Sequence, residues 1–148
     1  MFKQPRSVLV LIYTTTGEVL LLKRTGVRPF WQSVTGSVHP GESLSQTARR
    51  EVQEETGIDV TESELDDWRI DFRYSIFPEY RYRYPPGTTR NLEHLFALRL
   101  PAARPIRIAP AEHSEYCWMD AVAARDRVLS WSNSAAIDLL LHPNNATP

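Results

Sequence analysis

Glu51, Glu54 and Glu55 crowd into one short segment, preceded by Arg50 and closed by Gly57. Ser43 followed by Gln46 has the form of a capping box, and Gly57 suits the position just past a helix, so the spacing predicts a helix over Leu44 to Thr56. At roughly 100° per residue, the three glutamates fall on one side of that helix. Leu44, Ala48 and Val52 overlap the same side, whereas Gln46, Arg49 and Gln53 point the other way, so the carboxylates are expected to face the protein. Carboxylates three and four apart repel by a few tenths of a kcal/mol per pair, and the negative end of the helix dipole worsens their position. Arg50 can offset part of this through Glu54 at i+4, but one guanidinium does not neutralise three carboxylates. Hard oxygen ligands on a helix suit Mg²⁺, with Mn²⁺ as a substitute, and such ions usually complete their shell with substrate phosphate oxygens. Gly36 and Gly41 flank the turn before the helix, where glycine allows tight backbone and close approach of a ligand or ion.

The elements that must position this cluster are legible around it. Ser7 to Tyr13 is continuously apolar and, after a polar turn ending at Gly17, Val19 to Leu22 follows, which predicts a buried hairpin. Trp31 to Thr35 reads as a short strand delivering the chain to Gly36. Trp68 to Ile76 alternates apolar and polar residues with period two, so one face of that strand should meet the core. Tyr80 to Arg90, with Pro85, Pro86 and Gly87, reads as a loop, and Glu93 to Leu100 and Tyr116 to Met119 as strands. Asp120 and Ser132 are the expected openers of two C-terminal helices, about Ala121 to Val128 and Asn133 to Leu141, and the tail from His142 should fray. This succession implies an α/β (α+β) fold in which a mixed sheet is sandwiched between helices, in a single domain spanning residues 1–148.

Composition excludes several classes. With 17 Lys plus Arg against 18 Asp plus Glu, the net charge of −1 provides no global field for nucleic acid or an anionic membrane. The YRYRY run at Tyr80 to Tyr84 interleaves aromatics with only two arginines, too thin a footprint for single strands. A loop or edge strand bordering a pocket is the expectation there, with period-two alternation separating Arg81 and Arg83 from the tyrosines. No apolar run approaches the roughly 20 residues that span a bilayer, and Met1 to Ser7 lacks the layout of a secretion signal. Cys117 is the only cysteine and, between Tyr116 and Trp118, reads as a buried structural thiol in a reducing compartment. The expected setting is therefore cytoplasmic and the expected partner a small molecule. His39, His94, His113 and His142 show no metal-ligand spacing and receive no role.

Gly36, five residues, Glu42, seven residues, then Arg50, Glu51, Val52, Glu54, Glu55, Gly57 and Ile58 resemble the Nudix box of hydrolases that cleave nucleoside diphosphates linked to another group. The resemblance implies the Nudix fold, assigns Glu51, Glu54 and Glu55 to Mg²⁺, gives Arg50 an orienting salt bridge, and gives Glu42 a supporting role. Phe30 to Val38, Arg83 to Asn91, Glu112, the Tyr116, Trp118 and Asp120 set, and Ser130 to Asn133 further resemble the bacterial dihydroneopterin triphosphate diphosphatases. That closer resemblance implies Mg²⁺-dependent release of pyrophosphate from dihydroneopterin triphosphate, a step toward folate. It makes Glu112 a further metal ligand, assigns Lys3, Arg24, Thr35 and Ser130 to substrate, and places Tyr74, Ser75, Ile76 and Phe77 along the pocket. Tyr74 and Ser75 depart from the Phe-Glu pair expected there. Lys3 and Arg24 are suited to phosphate, and Phe77 or Trp31 to stacking on a flat ring. Without the resemblance, Lys3 and Glu112 read as solvated residues, Trp31 and Trp118 as core, and Ser130 as helix punctuation. The general base is left between Glu54 and Glu112. A nucleoside triphosphate, ordinary or oxidised, is the alternative substrate, and a non-catalytic binding module would be expected to have lost box carboxylates that this chain keeps.

Overall fold

The computed structural model describes residues 1–142, so the expected fraying of residues 143–148 falls outside the described residues. In chain order the elements are β1 (Arg6–Thr14), β2 (Glu18–Arg24), β3 (Phe30–Gln32), β4 (Val34–Ser37), α1 (Leu44–Thr56), β5 (Asp66–Ser75), β6 (Arg90–Leu100), β7 (His113–Asp120), α2 (Ala121–Arg127) and α3 (Trp131–Leu141). Short 3₁₀ turns cover Glu62–Glu64 and Pro78–Arg83.

β1 organises the mixed sheet. It runs parallel to β6 from Arg6 opposite Leu92 to Thr14 opposite Leu100. Its other edge is shared: β2 meets it antiparallel at Tyr13 and Val19, and β4 takes the opposite end, from Ser7 opposite Ser37 to Val10 opposite Val34. β5 adds antiparallel to β6, and β3 and β7 both pair with β2. This division of one edge brings β4, and the turn after it, under α1.

Both faces of β1 are covered, which explains its unbroken apolar run. Val8, Val10 and Ile12 pack with Phe96, Leu98 and the α1 residues Ala48 and Val52. Leu9 and Leu11 pack on the other face with Leu95, Ala124, Ala136 and Ile137. The alternation in β5 holds, since Trp68, Ile70 and Phe72 pack against this second cluster. The α1 caps form as expected: Ser43 Oγ accepts from Gln46 N at 3.1 Å, Gln46 Oε1 accepts from Ser43 N at 2.8 Å, and Gly57 adopts φ 76°.

Four expectations are corrected. The strand expected over Trp31 to Thr35 is two strands broken at Ser33, whose N–H donates to Asn133 Oδ1 at 2.8 Å while Asn133 Nδ2 donates to Ser33 Oγ at 2.9 Å. Ser130, not Ser132, caps α3, so the helix starts at Trp131 and leaves Ser132 free to turn inward and donate to Glu93. The Tyr80 to Arg90 segment is not wholly loop: its first part winds into the 3₁₀ turn, which ends the period-two alternation and stacks Arg83 over Tyr80 at 5.3 Å and Tyr82 at 5.9 Å. Cys117 is half-buried rather than buried, and that partial burial raises its thiol pKa.

Gly57 offers a test of the fold alone. A side chain in its left-handed conformation costs roughly 1–2 kcal/mol, and an added Cβ would sit 3.2 Å from Arg107 Cβ. Gly57→Ala is expected to lower the unfolding free energy by that amount, seen as a lower urea midpoint at an unchanged m-value by tryptophan fluorescence.

Candidate active site

α1 buries two of its three box glutamates. Glu51 is 8% exposed and Glu55 is 1% exposed, both facing the protein as expected. Glu54 is the correction: its side chain is 51% exposed, because the buried stripe runs through Ala48, Val52 and Glu55 and leaves Glu54 on the flank. Gly36 on β4 is required by Glu51 itself rather than by an approaching ligand, since a Cβ there would overlap the Glu51 carboxyl. Gly41 has open space around it but adopts φ 82°, the conformation that turns the chain into α1.

Arg50 ties the loop, the helix and the strand together. Its Nε and Nη2 donate to the two Glu42 oxygens at 2.7 and 2.9 Å, a bidentate pair. Nη1 donates to Glu51 Oε1 at 2.7 Å and to Glu54 Oε2 at 3.3 Å, and Nη2 also reaches Ser37 O at 3.0 Å. The expected Arg50 to Glu54 pair is thus the longest of four carboxylate contacts. The guanidinium holds the Glu42 carboxyl down to about 2, helped by the His39 N–H and the Thr47 hydroxyl.

Glu55 stands out chemically. Neither of its carboxylate oxygens has a hydrogen-bond partner, and burial, followed by the neighbouring Glu51, pushes its pKa well above the carboxylate range. Burial raises Glu51 as well. Glu55 on α1, and Glu112 and His113 where β7 begins, offer ligand atoms within 4.8 Å of one another. His113 is fully buried, lies 3.6 Å from Glu55 Oε1, and is pushed down to about 4 by burial and then by Arg24, so its imidazole is neutral. A register shift where β7 passes Lys23 and Arg24 places these residues, and Thr25 fixes the turn by donating its N–H and Oγ1 to Glu112 O at 2.9 and 3.1 Å. Sequence reasoning gave His113 no role; the available signal was its position beside Glu112 at a strand start, but its partner Glu55 is remote in the chain. The carboxylates of this set, the orphaned buried Glu55 beside Glu51 and the exposed Glu112, fit a hard divalent cation, and the neutral His113 imidazole is the softer donor beside them.

The resemblance-assigned residues separate into two groups. Lys3 lies within the field of Glu51 and Glu112; burial of its stem, then Arg83 and Arg24, lower its ammonium pKa. The Lys3 N–H donates to Arg83 O at 2.7 Å, fastening the N-terminal segment over the site. In the other group, Tyr74, Ser75, Ile76 and Phe77 line a cleft of about 530 Å³ with Arg73, Arg81, Arg90 and Trp131, while Thr35 and Ser130 are not among its lining residues. Ile76 is buried and Phe77 exposed, and Tyr74 OH accepts from Asn91 Nδ2 at 2.9 Å. Thr35 donates its hydroxyl to Val8 O at 2.9 Å, and Ser130 combines its capping role with a 2.8 Å hydrogen bond to Ser132. Trp31 and Trp118 pack against the core, Trp118 also donating to Arg104 O at 2.9 Å.

The Arg50 cluster predicts an acid limb of stability. Glu42 is lowered from 4.5 to about 2 on folding, so its contribution is complete above 4.5 and is lost as pH falls through the folded value. Denaturation midpoints are expected to decline for the wild type between those pH values, with a shallower decline for Glu42→Gln.

A NUDIX domain model matches residues 3–139. Over 140 residues the chain is 47% identical to the dihydroneopterin triphosphate diphosphatase of Escherichia coli (strain K12), covering 93% of this chain and 92% of that one. It is 37% identical to the Haemophilus influenzae enzyme of the same name, covering 92% and 87%. The solved structure of the E. coli dihydroneopterin triphosphate pyrophosphohydrolase superposes with a TM-score of 0.89 at 45% identity, covering 97% of this chain and 99% of that one. With its box carboxylates gathered around Arg50 and Gly36, this chain belongs to the Nudix family.

Proposed function

We propose that this protein hydrolyses dihydroneopterin triphosphate to dihydroneopterin monophosphate and pyrophosphate with Mg²⁺ as cofactor. The observation that carries the hydrolytic reading is the Glu55 carboxyl, 1% exposed with both oxygens unpartnered, in reach of Glu112 and His113. An ionised carboxylate buried without a partner costs roughly several kcal/mol, which a bound cation offsets. The substrate follows from similarity to enzymes of that name over nearly the whole chain.

Glu51, Glu55 and Glu112 would hold the cation, with Glu54 at the margin. A bound Mg²⁺ supplies charge neutralisation on the phosphates and a more acidic water. Arg50 holds Glu51 against β4 through its 2.7 Å hydrogen bond to Oε1, which is a positioning role. Lys3 and Arg24 bring positive charge to the triphosphate above the carboxylates. Glu54 and Glu112 face solvent and are the carboxylates able to accept a proton from the attacking water and release it to bulk. Tyr74 to Phe77, Thr35 and Ser130 border the space for the ring.

Pyrophosphate release from dihydroneopterin triphosphate and a dNTP panel tests this reading. The wild type with Mg²⁺ is expected to favour the pterin in kcat/KM, to stop on chelation with EDTA, and to recover on Mg²⁺ addition. Glu55→Gln is expected to lower kcat by about 10²–10⁴ while leaving the denaturation midpoint equal or higher, because it removes a desolvated acid. A dNTP turned over more efficiently than the pterin would replace the substrate, and near-normal turnover by Glu55→Gln would remove the metal assignment.

A further inference from the structure

We propose that Glu93 is the specificity-determining residue for the substrate's ring: its carboxyl accepts the ring N–H and adjacent exocyclic amine of a 2-amino-4-oxopyrimidine edge. This inference rests on the functional reading above, because it takes the phosphates to lie at Glu51, Glu55 and Glu112.

Glu93 stands where one face of β6 passes from the polar Asn91 to the apolar Leu95 and Ala97. On β6 it stands opposite Ser7 of β1 and Phe72 of β5, and the next residues on that face, Leu95 and Ala97, are packed in the core with Leu9 and Leu11. It is 5% exposed and makes no ion pair with a Lys, Arg or His among the described residues. Ser132 Oγ donates to its Oε1 at 2.9 Å, one hydrogen bond for a group with about four acceptor sites. Burial lifts its pKa to about 7, opposed by the Ser132 and Thr35 hydroxyls, although Thr35 directs its own hydrogen bond to Val8 O at 2.9 Å.

The surrounding donors are already committed. Asn91 Nδ2 donates to Ser7 Oγ at 2.7 Å and to Tyr74 OH at 2.9 Å, leaving the buried Asn91 Oδ1 without a partner. Two residues on one strand face, Asn91 and Glu93, therefore present acceptors in excess. A ligand that satisfies them brings adjacent N–H donors. The 2-amino-4-oxopyrimidine edge, shared by dihydropterin and guanine, has that donor pair; adenine, cytosine and thymine lack it.

The neighbourhood suits a flat ring. Tyr74, which accepts from Asn91, and Trp131, the residue before Ser132, both line the cleft, and Trp131 stands edge-on to Phe72 with ring centroids 5.8 Å apart. β4 links the two ends of the site, since Gly36 accommodates Glu51 while Thr35, the residue before it, lies beside Glu93. Glu93 thus reaches the ring, not the phosphates, and its removal should be felt in ring selection.

Steady-state pyrophosphate release by the wild type, Glu93→Gln and Glu93→Asp on dihydroneopterin triphosphate, dGTP and dATP tests the assignment, with calorimetric binding of dihydroneopterin as a second readout. Both variants are expected to lose at least about 30-fold in kcat/KM on the pterin and dGTP, mainly through KM, and to change less than about threefold on dATP. Dihydroneopterin should bind the wild type and at least about 30-fold more weakly to each variant. Equal losses on all three substrates, or pterin values within about threefold of wild type, would overturn the role of Glu93. A wild type that releases no pyrophosphate from any substrate would instead sink the functional reading, and the binding experiment would then decide Glu93 alone. Glu93→Asp keeps a buried acid, so the test stands if Glu93→Gln folds poorly.

Discussion

The guanidinium of Arg50 is the contact on which the site depends. It bonds Glu42 through two nitrogens, reaches Glu51 and Glu54, and accepts the geometry set by Ser37 O. Because those partners come from the loop, the helix and the end of β4, one planar group with fixed donor directions determines how α1 seats on the sheet. A lysine could supply the charge but not the fork. The consequence reaches past Arg50: Glu51 is oriented against Gly36, and α1 then places Glu55 opposite Glu112 and His113.

The site is a concentration of strained electrostatics on an ordinary scaffold. Aliphatic layers on both faces of β1 and ordinary helix caps supply the stability. Against that background two carboxyls, Glu55 and Glu93, are buried with raised pKa values on opposite sides of the sheet. The first is short of positive charge and the second short of N–H donors. On the proposed function, a divalent cation held with the phosphates relieves the one and the donor edge of the ring relieves the other.

Much of this was readable from the chain. Local signals specify α1 completely, because Ser43, Gln46 and Gly57 act within a few residues, and the apolar run of β1 announces a strand covered on both sides. Glu54 was misplaced because three residues within roughly 100° of arc need not all lie on the buried side of a stripe whose width depends on the neighbouring strand. His113 and Glu93 were invisible for another reason. Each is a single polar residue in a strand, and its meaning comes from α1 in one case and α3 in the other, partners that no local pattern names. Ser130 and Ser132 were exchanged as caps because both fit the N-cap role, and only the tertiary acceptor at Glu93 separates them.

The link between Ser33 and Asn133 spans 100 residues. A ribosome adding about 5–20 residues per second needs roughly 5–20 s to travel that interval. During it β4 and α1 can already meet through Arg50, while the break at Ser33 has no clasp and Glu93, once made, still awaits Ser132. Arg50 can therefore gather Glu42 and Glu51 early in synthesis, whereas Glu112 and His113, and after them Ser132 and Asn133, arrive only toward the end of the chain, so neither end of the site closes until synthesis is nearly over.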